Sequence, residues 1–325
     1  MTRAKIIMNN FLLSIFVLAQ LTGFSLPKII ADNNLYLYPS YSADNEMQIS
    51  SGKIVNQLPT VKKTLIPRPK DLNFGSSNIE AKAGIVVDAA TGQVLWQKNA
   101  DAALSIASIT KLMTCLVFLD HNPGWETKHK MTANENSLIG AKLIIDNDQE
   151  LTMYDLLRVT LIGSANNTAQ ALADSTGLTD KEFVQAMNKK AAILGLKNTH
   201  YVEPTGLNEN NKSSAADLAV IMREVLKHKE LRQAMGLTEH KLLIPPDNHE
   251  HTVKTTVKIK LDEEVNVIGG KTGFTYEAGY CLATVAKNNQ GNEIIVIDMG
   301  LDDEITRDGE NKELIQWAFE NYIWE

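Results

Sequence analysis

Three short polar clusters stand in order along the chain, and together they hold the parts of an acyl transfer. Ser108-Ile109-Thr110-Lys111 opens a helical pattern, Ser164-Ala165-Asn166 lies between two helical stretches, and Lys271-Thr272-Gly273 follows a strand pattern. A serine hydroxyl is a weak nucleophile until a neighbouring base takes its proton. A lysine three residues further along a helix lies one turn on, on the same face, so Ser108 has a partner in Lys111. An amine works as a base only when its ammonium form is destabilised; a second nearby cation does this, and Lys271 is the candidate. Ser164 is expected to relay a proton between Lys111 and the leaving group. Asn166 offers a donor and an acceptor to a substrate amide. Lys271, Thr272 and Gly273 form the expected substrate strand, with charge and a hydroxyl for a carboxylate. The backbone N–H groups of Ser108, at a helix start, and of Phe274, on a strand edge, are the expected oxyanion hole.

Each cluster alone is weak. A serine capping a helix, with a solvated lysine on its surface, produces the first by chance. The strength lies in all three appearing in this order, each in the local setting its role needs. The set is the S-x-x-K, S-x-N-like and K-T-G combination of penicillin-binding proteins and β-lactamases. The frame around it is similar to the low-molecular-mass penicillin-binding proteins, the D-alanyl-D-alanine carboxypeptidase and endopeptidase family. Val87 to Leu95 resembles the family's entry hairpin, and Ala107 to Thr114 its nucleophile segment. Met187-Asn188, Leu194-Gly195-Leu196 and Asn198-Thr199 resemble a stretch after the second motif. Gly270 to Thr275 with Ala278-Gly279-Tyr280 resembles the third motif and the strand after it. The likeness covers nearly all of 81–325.

The resemblance implies a bacterial serine acyltransferase of the periplasm or cell surface. Its partners would be peptidoglycan stem peptides, either ending in D-Ala-D-Ala or cross-linked. It implies attack by Ser108 on a D-Ala carbonyl, an acyl-enzyme hydrolysed by water, and β-lactams as inhibitors. No cofactor and no metal is implied. Many members carry a second, β-rich domain and an amphipathic C-terminal anchor. Here the C-terminal helical pattern carries Glu310, Glu313, Glu320 and Glu325 against Lys312, so no C-terminal membrane anchor is expected. Val202 to Leu207 looks like the endopeptidase branch. Two other readings stay open: a serine β-lactamase, and a silent peptidoglycan-binding scaffold.

The elements that must position these residues are legible as patterns. Ala83–Ala89 reads as a strand, Thr91-Gly92 as a turn and Val94-Leu95-Trp96 as the returning strand. Helical periodicity covers about 108–121, 152–162, 165–175, 180–194 and 214–228. Strands resume at Val267-Ile268, Tyr280–Val285 and Ile294–Met299, and a helix closes the chain over Glu310–Trp324. Strands first, helices in the middle, and strands with a helix last predict an α+β fold. It is an antiparallel β-sheet flanked by helices, with an all-helical lobe, and the resemblance makes it β-lactamase/transpeptidase-like.

Composition bounds the function. The 325 residues are 44% hydrophobic and 22% charged, ordinary for a globular protein. With 32 basic and 39 acidic residues the net charge is −7, a poor start for binding nucleic acid or anionic lipid. Arg3 and Lys5 precede an almost wholly apolar, uncharged run from Phe11 to Phe24. That run suits a secretory h-region and falls short of the ~20 residues of a membrane span. Residues 1–31 are read as a signal peptide cut after Ala31, with an uncleaved anchor as the rival. Cleavage removes Arg3, Lys5 and Lys28 and no acid, taking the net charge from −7 to −10. Residues 32–80, rich in Asn, Ser, Pro and Lys, read as a poorly ordered tether, and 81–325 as the catalytic domain of a periplasmic or secreted protein. Cys115 and Cys281 each lie in an apolar run and read as buried free thiols in preference to a disulfide.

Several near misses have simpler readings. Gly270-Lys271-Thr272 is no phosphate loop, because Val265 stands where the first glycine belongs and a strand follows. His249-Glu250-His251, expected in a polar loop, lacks the i, i+4 spacing of a zinc helix. Glu203 faintly resembles the deacylating glutamate of class A β-lactamases and reads better as a loop-fixing carboxylate. Trp96 and Trp125 read as packing residues, and Asp155 and Asp217, at N-terminal helical positions, as capping or dipole residues.

Overall fold

A computed structural model describes residues 65–71, 79–244, 249–261 and 263–325. The expected signal peptide lies outside the described residues, as does most of the expected tether. Five strands form the central sheet: β1 (Ala83–Asp88), β2 (Val94–Lys98), β3 (Val265–Thr275), β4 (Gly279–Asn288) and β5 (Glu293–Leu301). They run in the order β3-β4-β5-β1-β2, every neighbouring pair antiparallel. All six residues of β1 are buried. Because strand side chains alternate, Ala83, Ile85 and Val87 enter one core and Val86 the other. In β5, Ile295, Ile297 and Met299 likewise face one core, and Ile294 and Val296 the other. Strands buried on both faces read as continuous apolar runs, and this is why these two were visible in the sequence.

The second core is closed by α7 (Glu304–Asn321) through Leu314, Ile315 and Ala318. The first holds α1 (Lys111–Asp120) together with α2 (Met153–Ile162), α3 (Asn166–Asp174), α4 (Asp180–Ile193), α5 (Ala215–Lys227) and α6 (Lys229–Met235). The expected helices all form, with ends shifted by a few residues. Lys111 through Phe118 are buried on every side of α1, so this helix is central to the lobe. Each leucine-sized side chain it buries contributes ~1.5–3 kcal/mol.

Three local readings change. Ser108 lies in a 3-10 turn, Ala107–Thr110, and α1 starts only at Lys111. The C-terminal helix stops at Asn321, and Tyr322–Trp324 is a strand paired with Pro67–Pro69. Tyr322 donates its hydroxyl to the Leu95 carbonyl, and Trp324 Nε1 donates to Asp88 Oδ2, both at 2.8 Å. Pro67–Pro69 falls within the stretch expected as a tether; three residues are too few to show a period, and their partner is at the other end of the chain. Ile79 and Ala81 are also buried. Finally, His249-Glu250-His251 lies in a strand, His249–Lys254, paired with Glu239–Ile244, and not in a loop. The alternating burial of Glu239–Ile244 sets up that partner, and Glu250 pairs with Lys241 at 2.9 Å.

Cys115 and Cys281 are free and buried, and burial pushes each thiol up to about 12, the signature of inert cysteines. Among the described residues no helix is long and apolar enough to cross a membrane.

Candidate active site

The segment carrying Ser108 is held in an unusual shape. Ala107, just before Ser108, has φ +45 and is buried. A non-glycine residue in the left-handed region costs ~1–3 kcal/mol and persists only where its surroundings enforce it. Two glycines enforce it here. A Cβ on Gly273 of β3 would lie 2.9 Å from the Ile106 carbonyl oxygen and 3.3 Å from Ala107 Cβ. A Cβ on Gly206 would lie 2.0 Å from the Ala107 oxygen. The turn is therefore clamped between the edge strand and the loop carrying Gly206.

Ser108 is half-buried, and Lys111 is fully buried beneath it. Lys111 Nζ donates to Ser108 Oγ at 2.7 Å, to Asn166 Oδ1 at 2.7 Å and to the Thr205 carbonyl at 2.5 Å. Burial lowers the Lys111 ammonium to about 7, with the Glu203 carboxylate opposing part of that fall. Lys271 Nζ, also fully buried, donates to Ser164 Oγ and to the Thr272 carbonyl, both at 2.7 Å. Burial and then the charge of Lys111 push Lys271 well below the ordinary lysine range.

Each serine is thus held by its own lysine: Ser108 by Lys111, and Ser164 by Lys271. The cause assigned to the Lys111 shift is corrected: it comes first from lost hydration and not from Lys271. A helix turn buried on all sides has no water to give an ammonium, and sequence spacing does not show that.

Ser164 has φ +58, a second non-glycine residue in the left-handed region, at the break between α2 and α3. Asn166 begins α3 and joins three segments. Its N–H donates to the Ala141 carbonyl, its Oδ1 receives Lys111, and its Nδ2 donates to the Ile139 carbonyl, each at 2.7 Å. Its amide keeps a second N–H and a second lone pair for a ligand. Thr272 donates its hydroxyl to Thr256 Oγ1 at 2.7 Å. Among the described residues β3 is an edge strand, and one row of its backbone groups has no strand partner there. Phe274 stands at its outer end opposite Tyr280, with ring centroids 4.2 Å apart, and Tyr276 packs edge-on at 5.8 Å. Gly273 brings this strand against the Ser108 turn, so the two expected oxyanion donors lie on touching elements.

Sequence reasoning read Glu203 as a loop-fixing carboxylate but did not place the loop from Glu203 to Leu207 in this cluster, and it missed Asn211 and Thr256. The signals were the likeness of Val202–Leu207 to a family stretch and that of Glu203 to a deacylating glutamate. The Glu203 carboxylate is occupied by donors of its own loop, from Thr205 and Gly206, and by Asn211. The other singled-out residues have structural partners. Trp125 packs edge-on against Phe118 and Tyr154, with centroids 6.1 and 6.0 Å away. Asp155 accepts from Thr152 and pairs with His240. Asp217 accepts from Asn198 and Thr199.

The cluster has the parts of an acyl-transfer site: a hydroxyl on a clamped turn, a buried amine in contact with it, a second amine–hydroxyl pair, and an open strand edge. Comparison with known proteins agrees. A D-alanyl-D-alanine carboxypeptidase of Bacillus subtilis, DacF, is 34% identical over 248 residues, 75% of this chain and 63% of that protein. This chain therefore spans less than two thirds of that relative's length. A D-alanyl-D-alanine endopeptidase of Pseudomonas aeruginosa is 33% identical over 254 residues, 78% of this chain and 79% of that protein. Among solved structures, a D-alanyl-D-alanine carboxypeptidase from Mycobacterium tuberculosis aligns with a TM-score of 0.68 at 26% identity, covering 78% of this chain and 96% of that one. A Streptomyces DD-transpeptidase aligns with a TM-score of 0.71 at 25% identity, covering 76% of this chain and 100% of that one. The family profile described as D-alanyl-D-alanine carboxypeptidase matches residues 70–303, which include all three motifs, and the chain belongs to that family.

Proposed function

We propose that the protein is a serine DD-peptidase acting on peptidoglycan stem peptides through an acyl-enzyme on Ser108, and that β-lactams acylate the same serine. The observation that carries this reading is the fully buried Lys111 amine 2.7 Å from Ser108 Oγ. In this mechanism neutral Lys111 takes the Ser108 proton as the oxygen attacks the D-Ala carbonyl. The N–H groups of Ser108 and Phe274 receive the oxyanion. Ser164, held by Lys271, relays the proton now on Lys111 to the departing amine as the C–N bond breaks, so that Lys111 is neutral again and the Ser164 hydroxyl is restored. Asn166 orients the substrate amide, and Lys271 and Thr272 receive its carboxylate beside Gly273. Water then releases the peptide from Ser108. The residues before 32 serve as the export signal, and the site works in the periplasm or outside the cell.

Removal of a terminal D-Ala and cleavage of a cross-link share this acyl-enzyme and differ only in the leaving amine. Purified protein will be incubated with uncross-linked and cross-linked muropeptides and with a chromogenic β-lactam. Release of free D-Ala marks a carboxypeptidase, and conversion of dimers to monomers an endopeptidase. Rapid steady turnover of the lactam, without change in either muropeptide, would replace the reading with a β-lactamase. No product from any of them would leave a scaffold.

The pH dependence follows from the base. Below about 7 Lys111 is protonated and cannot accept the Ser108 proton. The acylation rate with a labelled penicillin will rise about tenfold per pH unit below that value and level off above it. A profile flat from about pH 5 to about pH 9 would remove Lys111 from the role of base.

A further inference from the structure

The Glu203–Leu207 loop touches the nucleophile segment at several points, and one carboxylate organises all of them. We propose that Glu203 is a positioning residue: its carboxylate braces the loop so that the Thr205 carbonyl meets the Lys111 amine and Gly206 packs beneath the Ala107–Ser108 peptide. This rests on Ser108 and Lys111 being the reacting pair.

Glu203 Oε2 accepts from Thr205 N at 2.7 Å and from Thr205 Oγ1 at 2.5 Å. Oε1 accepts from Gly206 N at 2.6 Å and from Asn211 Nδ2 at 2.7 Å, with a longer contact from Asn208 N at 3.5 Å. Four short donors fill the lone-pair sites of one carboxylate, and this leaves no acceptor for activating a water. That occupancy separates the role from a deacylating base. Asn211 extends the brace, since its Nδ2 also donates to the Glu203 carbonyl at 2.9 Å and to Thr110 Oγ1 at 3.2 Å.

The loop's own contacts point at α1. The Pro204 carbonyl receives Thr114 Oγ1, and the Thr205 carbonyl receives Lys111 Nζ, both at 2.5 Å. Gly206, at φ +86, presses against the peptide that carries the Ser108 N–H. The titratable groups facing Lys111 are Glu203 from the loop, Cys115 from its own helix and Lys271 from β3. Glu203 is the acid among them, so its charge is what supports the Lys111 proton against burial.

The brace and the charge can be separated. In Glu203→Gln the shape remains, one oxygen becomes an N–H₂ that cannot accept from Thr205, and the charge is gone. Acylation of Ser108 by labelled penicillin will fall about tenfold or more, because small displacements of a reacting group are costly. The rising limb of its pH profile will move to lower pH by about half a unit or more, because loss of a counter-charge lowers an amine's proton affinity. Thr205→Val deletes one donor and keeps the carboxylate; acylation will fall about threefold or more while the limb stays in place. It also serves if Glu203→Gln does not fold. An unshifted limb with unchanged acylation in Glu203→Gln overturns the proposal, and so does normal acylation in Thr205→Val. Normal acylation with a trapped acyl-enzyme in Glu203→Gln also overturns it, by making Glu203 a deacylating base. Failure of the unsubstituted protein to label at Ser108 would instead overturn the DD-peptidase reading itself.

Discussion

Lys111→Ala will slow acylation of Ser108 by a labelled penicillin by about 10³-fold or more, with the protein still folded. Two losses combine. Without the amine the group proposed to take the Ser108 proton is gone, and the Ser108 hydroxyl loses its 2.7 Å contact with Lys111. A positioned general base alone is worth ~10²–10⁴ in rate. Stability should change little. The amine is fully buried and its charged form is already disfavoured, so removing it relieves a desolvation cost. Against that, Asn166 Oδ1 and the Thr205 carbonyl each lose a donor. Lys111→Arg makes the distinction sharper, since a guanidinium keeps positive charge and does not give up its proton near neutral pH. It should be as inactive as the alanine variant. Ser108→Ala sets the zero of the assay. Labelling in Lys111→Ala within tenfold of the parent, or substantial activity in Lys111→Arg, would mean that another group takes the proton.

Local patterns made some residues readable, and distant contacts hid others. Ser108 and Lys111 were readable because a helix turn places residues three apart on one face. β1 and β5 were readable because strands buried on both sides become apolar runs. The Lys271–Ser164 pair was not, since its partners are 107 residues apart and α2, α3 and β3 must pack before the two atoms meet. The brace around Glu203 was hidden for another reason. Val202-Glu203-Pro204-Thr205-Gly206 looks like an ordinary polar turn, and nothing local says that its carbonyls receive donors from α1. Pro67–Pro69 shows the same limit at the level of the fold, because its pairing with Tyr322–Trp324 joins segments more than 250 residues apart in sequence. The Lys111 shift belongs here too: charge counting pointed to a second cation, whereas the larger cause is burial, which only packing creates.

The second large effect is expected from Gly206→Ala. At φ +86 an alanine pays ~1–2 kcal/mol for the left-handed backbone. Its Cβ would also lie 2.0 Å from the Ala107 oxygen, 2.4 Å from the Ala107 carbonyl carbon and 2.9 Å from the Ser108 nitrogen. These are backbone atoms, so no side chain can rotate away; either the loop or the turn carrying Ser108 must move. Overpacking of this kind costs a further ~1–3 kcal/mol. The thermal midpoint should fall by roughly 5–15 °C for a domain of this size. A shift of about 1 Å in a reacting group is worth about 10²-fold, so acylation of Ser108 should drop by about that factor even at temperatures where the variant is folded. Gly195→Ala supplies the comparison. Gly195 also has a left-handed backbone, φ +74, but nothing lies within 4 Å of its added Cβ. That variant should lose only ~1–2 kcal/mol and acylate at the parent rate. If Gly206→Ala acylates within threefold of the parent, the turn carrying Ser108 is not held by the loop. The clamp inferred from Gly206 and Gly273 would then reduce to the contact with β3.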